Sequence, residues 1–353
     1  MIAPAHAADW TAFIGTYTRG ASKGIYAARF DEKTGKLTSL GLAAETSNPS
    51  FLAVHPNQRF LYAANENPQG TVSAFAIEPA TAHLKLLNTV SSKGSGPCHV
   101  ELDRAGQFLF AANYNSGSVT VFPVRENGTL GEASKSVQHS GSGANPQRQE
   151  GPHAHSANVA PDNRFVLVLD LGLDQIMAYS RQLNIGATTI MNPGSGPRHM
   201  AFRADGKFAY VLSELTATVT AFRYDGRTGS LDELQTISTL PANYTGPKSG
   251  AEIAIHPSGR FLYASNRGHD SIAIFRVDPE KGTLSATGHV PTQGKTPRNF
   301  AIDPSGAFLL AANQDSGSIV EFRIDQKTGA LAPTGAALAV PFPVSIVFAP
   351  ARR

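Results

Sequence analysis

The sequence predicts an all-β chain closed into a seven-bladed β-propeller, with four antiparallel strands per blade. Three observations predict it. A strand–turn–strand unit recurs six times at roughly 45–55 residue spacing, the per-blade period of such rings. A seventh unit is divided between the two ends of the chain. The first strand of each unit alternates large apolar residues with small ones, which suits sheets crowding towards an axis.

Gly250–Pro279 shows the unit most clearly. Ile253–His256 is short and apolar, and Pro257-Ser258-Gly259 is a turn signal. Arg260–Asn266 is β-rich, and Arg267–Asp270 is a second turn. Ser271–Asp278 alternates and ends at an Asp-Pro break. A poorer fourth strand follows at Gly282–Val290. The other copies begin at Asn48, Gly96, His153, Gly196 and Thr296. The divided copy takes its first strand from Phe342–Pro350 and the rest from the segments starting at Thr11, Gly24 and Leu37. Pairing the last strand with the first ones closes the ring and protects its edge.

Within the first strands, Leu52, Val100, Met200, Ile253, Phe300 and Ile346 share one face, with Val54, Leu102, Phe202, Ile255, Ile302 and Phe348 two residues on. Between them stand Ala53, Ala201, Ala254 and Ala301. Asn65, Asn113, Asn266 and Asn313 recur at the second turn and read as turn residues.

A chain of 353 residues ordinarily divides into domains, but blades bury their faces only against each other. Residues 11–353 are therefore expected to form one domain. The net charge of +3 is small and its Lys and Arg are dispersed, so nucleic acid is not an expected partner. No apolar run reaches the length of a membrane span. Cys98 stands alone, so no intrachain disulfide can form. A monomer or weak dimer is expected. Residues 1–10 read as the remnant of a signal peptide, because Ala5-His6-Ala7 has the small-x-small form of a signal-peptidase site, or else as a disordered Ala-rich tail. A periplasmic or secreted location follows as the expectation, with a cytoplasmic one as the alternative.

Antiparallel pairing selects a functional face. First strands start, and second strands end, on the same rim near the axis. First-strand starts supply Cys98-His99, His153-Ala154-His155, Arg198-His199, Glu252 and Arg298-Asn299. Second-strand ends supply Glu66, Tyr114, Glu214, Arg267 and Gln314. The opposite turns are plain Pro/Asp/Gly sequences. Two long insertions, Ser136–Pro152 (with Arg148 and Gln149) and Leu240–Ser249, also fall on the first face. Arginines converging on a pocket offer planar donors to a carboxylate or phosphate. His and Glu are the usual proton-transfer groups. His99 also admits a structural reading, as a bond to backbone between blades. No phosphate-binding P-loop occurs, and no HExxH or Cys-His framework accompanies the histidine pair, so neither metal nor cofactor is expected.

RQEGPHAHS (Arg148–Ser156), GPRH (Gly196–His199), LSE (Leu212–Glu214) and SNRG (Ser265–Gly268) resemble the motifs of the seven-bladed propeller lactonases, including propeller-type 6-phosphogluconolactonases and fungal carboxy-cis,cis-muconate cyclases. The resemblance spans Thr11 to Pro350. It implies metal-free opening or closing of a lactone ring. Its catalytic roles fall on Arg198, Glu214, Arg267 and either His153 or His155. Strand register favours His155 and the Gly-Pro motif favours His153. His99, Arg148, Gln149, His199, Glu252, Arg298, Asn299 and Gln314 are the expected substrate-binding residues. The expected ligand is a small, anionic, sugar-type lactone. The alternatives are a muconate-type lactonizing cycloisomerase, an exported hydrolase of unphosphorylated sugar lactones, and a non-catalytic exported propeller that binds a small molecule or a protein.

Overall fold

The structure, a computed structural model, describes residues 9–351. The proposed signal-peptidase site at Ala5-His6-Ala7 lies outside them. Among the described residues, 28 strands form seven four-stranded antiparallel sheets, and there is no helix. In chain order, blades 1 to 6 span residues 49–91, 97–138, 154–190, 197–238, 250–291 and 297–339. Blade 7 joins Pro343–Pro350 to Asp9–Thr16, Gly24–Asp31 and Leu37–Glu45. Its first two strands pair antiparallel, with Ile346 opposite Ile14 and Val347 opposite Phe13. The ring is thus closed by hydrogen bonds between the two ends of the chain.

The core lies between blades rather than within one. Apolar clusters join neighbouring sheets, as where Phe110 and Val121 of blade 2 meet Val166, Val168 and Tyr179 of blade 3. Leu52, Val100 and Phe300 are buried in such clusters. The small residues that alternate with them are half-buried, and Ala53 faces the axial channel. Glu101 and Asn158 hold the same register position in blades 2 and 3, where most other blades carry Ala.

The recurring asparagines are latches between blades rather than turn formers. Asn113 Nδ2 donates to Ser92 O at 3.1 Å, and Asn313 Nδ2 to Thr292 O at 3.0 Å. Each ties a second strand to the end of the preceding blade. In blade 3, Asp170 stands in that place and accepts from His139 Nδ1 at 2.6 Å. Asn266 both donates to Thr239 O and accepts from the Thr239 hydroxyl. Asn266→Ala strands those groups in a buried place and is expected to cost about 1–3 kcal/mol, read by urea unfolding. A change within error would show that blade contacts alone hold the ring.

Candidate functional site

Two backbone features, repeated around the ring, build the site. The first is a bulge where each first strand begins. Pro97 faces Asn113, but His99 faces Ala112, so Cys98 is an extra residue without a partner. The same irregularity falls at Ser50, His155, Arg198, Arg298 and Val344, and between Gly250 and Ile253 in blade 5. Bulges re-aim side chains and are common beside active sites. The second feature is one backbone bond just after each second strand. Tyr17 N donates to Phe342 O, Glu66 N to Asn48 O, Tyr114 N to Gly96 O, Glu214 N to Gly196 O, Arg267 N to Ser249 O and Gln314 N to Thr296 O. Leu171 takes the equivalent place in blade 3, bonded to His153 O.

Side chains from the two rings enclose an axial cavity of about 210 Å³. Cys98, His155 and Arg298 come from the bulges. Tyr17, Glu66, Tyr114, Glu214 and Arg267 come from the second-strand ends, and Arg148 reaches in from the long insertion. Glu214 is the hub. Its Oε1 accepts from Arg148 at 2.6 Å, and its Oε2 accepts from Arg198 at 3.1 Å and lies 2.9 Å from Arg267. Burial alone would raise the Glu214 carboxyl, but Arg267, Arg198 and the Arg148 bond outweigh it and hold it at about 2. The group is therefore an anion at any physiological pH.

Arg198 is a fully buried cation beneath Glu214, and it also donates to Ala251 O. Burial, then the nearby Arg298 and Arg267, lower its pKa to about 10. On the other side of the cavity, Tyr17 OH donates to Glu66 Oε2 at 2.9 Å. Arg298 lies over the Tyr17 ring, 5.3 Å from its centroid, and 4.0 Å from Glu66.

The structure separates the two histidines. His155 Nε2 lies 4.0 Å from Glu214 Oε2, and burial followed by the charge of Arg198 keeps its pKa well below the usual histidine range. It is a neutral imidazole at neutral pH. His153 stacks on Tyr114 at 4.5 Å, and its ring nitrogens meet Tyr114 O and Glu150. It stands behind the wall rather than in the cavity.

The other expected binding residues divide by depth. Arg148 and Arg298 line the cavity. His99, His199, Glu252 and Asn299 lie one step further along the first strands, below it. His199 Nδ1 meets Glu252 Oε1 at 3.0 Å, while Glu252 Oε2 accepts from Asn299. His99 stacks on Phe51 with centroids 4.2 Å apart. Gln149 is buried in its own loop, where it donates to Leu171 O and accepts from Asn145 N. Gln314 turns to the exposed Asp315. Neither glutamine lines the cavity.

Residues 11–348 match the family described as Lactonase, 7-bladed beta-propeller. The chain belongs to the seven-bladed propeller lactonase family. The 6-phosphogluconolactonase of Bacillus subtilis is 39% identical over 291 residues, covering 81% of this chain and 83% of that protein. The 6-phosphogluconolactonase of Formosa agariphila is 37% identical over 304 residues, covering 81% and 84%. Among solved structures, the periplasmic gluconolactonase PpgL of Pseudomonas aeruginosa superimposes with a TM-score of 0.93 at 34% identity, covering 98% of this chain and all of that one. Membership supports a lactone-hydrolysing enzyme acting on a small molecule. Within that family frame, Tyr17 is the pocket residue that sequence reasoning passes over. It is the second-strand end of the divided blade, and Gly15-Thr16-Tyr17 has none of the repeat's Ala-Asn signature. Aligning the sevenfold backbone bond would have found it.

Proposed function

We propose that the axial pocket hydrolyses a small, anionic, sugar-type lactone without a metal. The observation that carries this reading is the charge of the cavity. Arg148, Arg267 and Arg298 line it and Arg198 lies beneath, against only two carboxylates, Glu66 and Glu214. The surplus of guanidinium groups suits a phosphate or carboxylate on the substrate. Both carboxylates are already engaged, by arginines or by Tyr17, which leaves little capacity for a metal ion.

The chemistry then divides among these groups. Glu214 is a weak base because three arginines hold it as an anion. Its part is to position them. His155 is neutral and takes a proton from the attacking water. Glu214, 4.0 Å away, steadies the imidazolium that forms. Water oxygen bonds to the lactone carbonyl carbon, and Arg267 faces the negative charge that builds on the carbonyl oxygen. When the ring C–O bond breaks, His155 returns the proton to the leaving alkoxide.

The test is the preference for charge. Proton release should give a kcat/KM about 10–100-fold higher for 6-phosphogluconolactone or a carboxylated lactone than for gluconolactone, the range that charge-assisted hydrogen bonds supply. Arg298→Met should erase most of that ratio. Equal rates on gluconolactone, with a ratio indifferent to Arg298→Met, would assign the pocket to neutral sugar lactones. We also propose export to the periplasm, on the Ala5-His6-Ala7 pattern and the likeness to PpgL. Cell fractionation decides it.

A further inference from the structure

We infer that Asp170 is a positioning residue: with His139 it clasps both ends of the loop 140–152 and so holds Arg148 at the mouth of the pocket. The inference rests on the reading of that pocket as a lactone site.

Blade 3 departs from the latch that its neighbours use. Asn113, Asn266 and Asn313 each donate to the backbone carbonyl of the residue that ends the preceding blade, Ser92, Thr239 and Thr292. His139 holds that same place at the end of blade 2, because its N donates to Gly117 O as Ser92 N does to Gly70 O. In blade 3 an imidazole replaces the carbonyl, and a carboxylate replaces the amide. Asp170 Oδ2 accepts from His139 Nδ1 at 2.6 Å, and His139 Nε2 accepts from Tyr179 OH at 3.1 Å. Both ring nitrogens are thus fixed. Asp170 Oδ1 accepts from His153 N at 2.7 Å, Gly172 N at 3.0 Å and Leu173 N at 3.1 Å. Four N–H groups therefore converge on one buried carboxylate. A fully satisfied buried network of this kind is rigid.

His139 and His153 flank the loop 140–152, so the one carboxylate ties both of its ends. Two short paths lead from there to Arg148. In the first, Gln149 Nε2 donates to the carbonyl of Leu171, the residue after Asp170, at 2.8 Å. In the second, His153 stacks on Tyr114, whose OH accepts from Arg148 Nη2 at 3.3 Å. The same Nη2 donates to Glu214 Oε1 at 2.6 Å. The Arg148 side chain is 42% exposed, so packing at its tip does not set its place, and the anchoring of its backbone does. The second insertion, Leu240–Ser249, provides an internal comparison. It leaves from the ordinary latch of Asn266 on Thr239, and none of its residues lines the cavity. The carboxylate clasp lies under the insertion that delivers a pocket residue.

The test is a double-mutant cycle on full chains: wild type, Asp170→Ala, Arg148→Met and the double variant, with kcat and KM measured on 6-phosphogluconolactone and gluconolactone. Asp170→Ala is expected to raise KM about tenfold and to leave kcat within about twofold. Asp170→Asn keeps an acceptor for the three backbone N–H groups but turns a donor towards His139, and should raise KM about threefold. Melting temperatures report folding, and Asp170→Asn carries the cycle if Asp170→Ala does not fold. Arg148→Met alone should raise KM about tenfold, and in its background either change at 170 should add less than about twofold.

A general loosening of blade 3 would instead multiply the two effects, and that result overturns the inference. So does an unchanged KM in Asp170→Ala or in Arg148→Met. Failure of the pocket reading looks different. A coupled cycle on gluconolactone, with no preference for the phosphorylated lactone, keeps the clasp and removes the anionic substrate. If neither lactone is opened, the hydrolytic reading falls and trypsin decides the clasp. Cutting after Arg148, read by mass spectrometry, should be about tenfold faster in Asp170→Ala than in wild type, and equal rates overturn the inference.

Discussion

Glu214→Gln is expected to lower kcat/KM about a thousandfold, close to 4 kcal/mol of transition-state stabilisation. The reason lies in what the carboxylate holds. Arg148, Arg198 and Arg267 all converge on its two oxygens within 3.1 Å. A neutral amide leaves three guanidinium groups facing one another without their counterion. Removing one partner of a buried ion pair typically costs about 3–5 kcal/mol. Folding stability should therefore fall along with activity. The decisive measurement is kcat/KM per folded molecule, with the folded fraction taken from denaturant titration. A variant that is less stable but fully active per folded molecule would place the chemistry elsewhere.

The same electrostatics fix the pH profile. Glu214 stays ionised down to about 2, and His155 stays neutral until well below the usual histidine range. Neither titrates between about pH 6 and about pH 8, so neither adds a limb to the rate there.

Glu321→Leu is expected to stabilise the protein by about 2–3 kcal/mol at pH 8. Glu321 lies on the third strand of blade 6, opposite Leu310, and is 1% exposed. Neither carboxylate oxygen has a hydrogen-bond partner among the described residues. Gly35 and Phe308 pack against this corner. Burial raises the carboxyl to about 7, only partly offset by Arg323. The folded state thus holds the proton more tightly than the unfolded chain. Its contribution is most favourable below about pH 4.5 and is lost progressively as pH rises to about 7. Glu101 is raised to a similar value, so part of the slope will remain in the variant. Chemical denaturation at pH 5 and pH 8 checks both points. No gain at pH 8 would mean that the carboxylate is solvated in place.

The fold was legible because the repeat is dense in constraints. Each copy fixes two strands, a tight turn between them and the alternation of one face. The second-strand ends were legible for the same reason: Glu66, Tyr114, Glu214 and Arg267 each close a copy that can be aligned by eye. The first-strand starts were harder. A bulge adds a residue without any fixed sequence, and its occupants here are a cysteine, a histidine and two arginines, Cys98, His155, Arg198 and Arg298. Counting back from the core, through Val100 and Met200, gives the right register and selects His155. Counting forward from Gly-Pro selects His153. Depth was not legible at all. His99, His199 and Glu252 directly follow the bulge residues in sequence, yet they stand one level down the axis. Gln149 looked available because its loop is long, but its amide is spent holding that loop together.

The repeated bulge has a bearing on how such a site can change. Every blade presents one side chain through the same local backbone, and the strand pairing on either side of the bulge is backbone to backbone, although Cys98 and Arg198 also donate to carbonyls of the next blade's bulge. Serine, cysteine, histidine and arginine already occupy equivalent places in one molecule. The scaffold therefore works as a set of interchangeable sockets. A lineage can swap the occupant of one socket, and with it the substrate, while the ring that holds the sockets stays as it was.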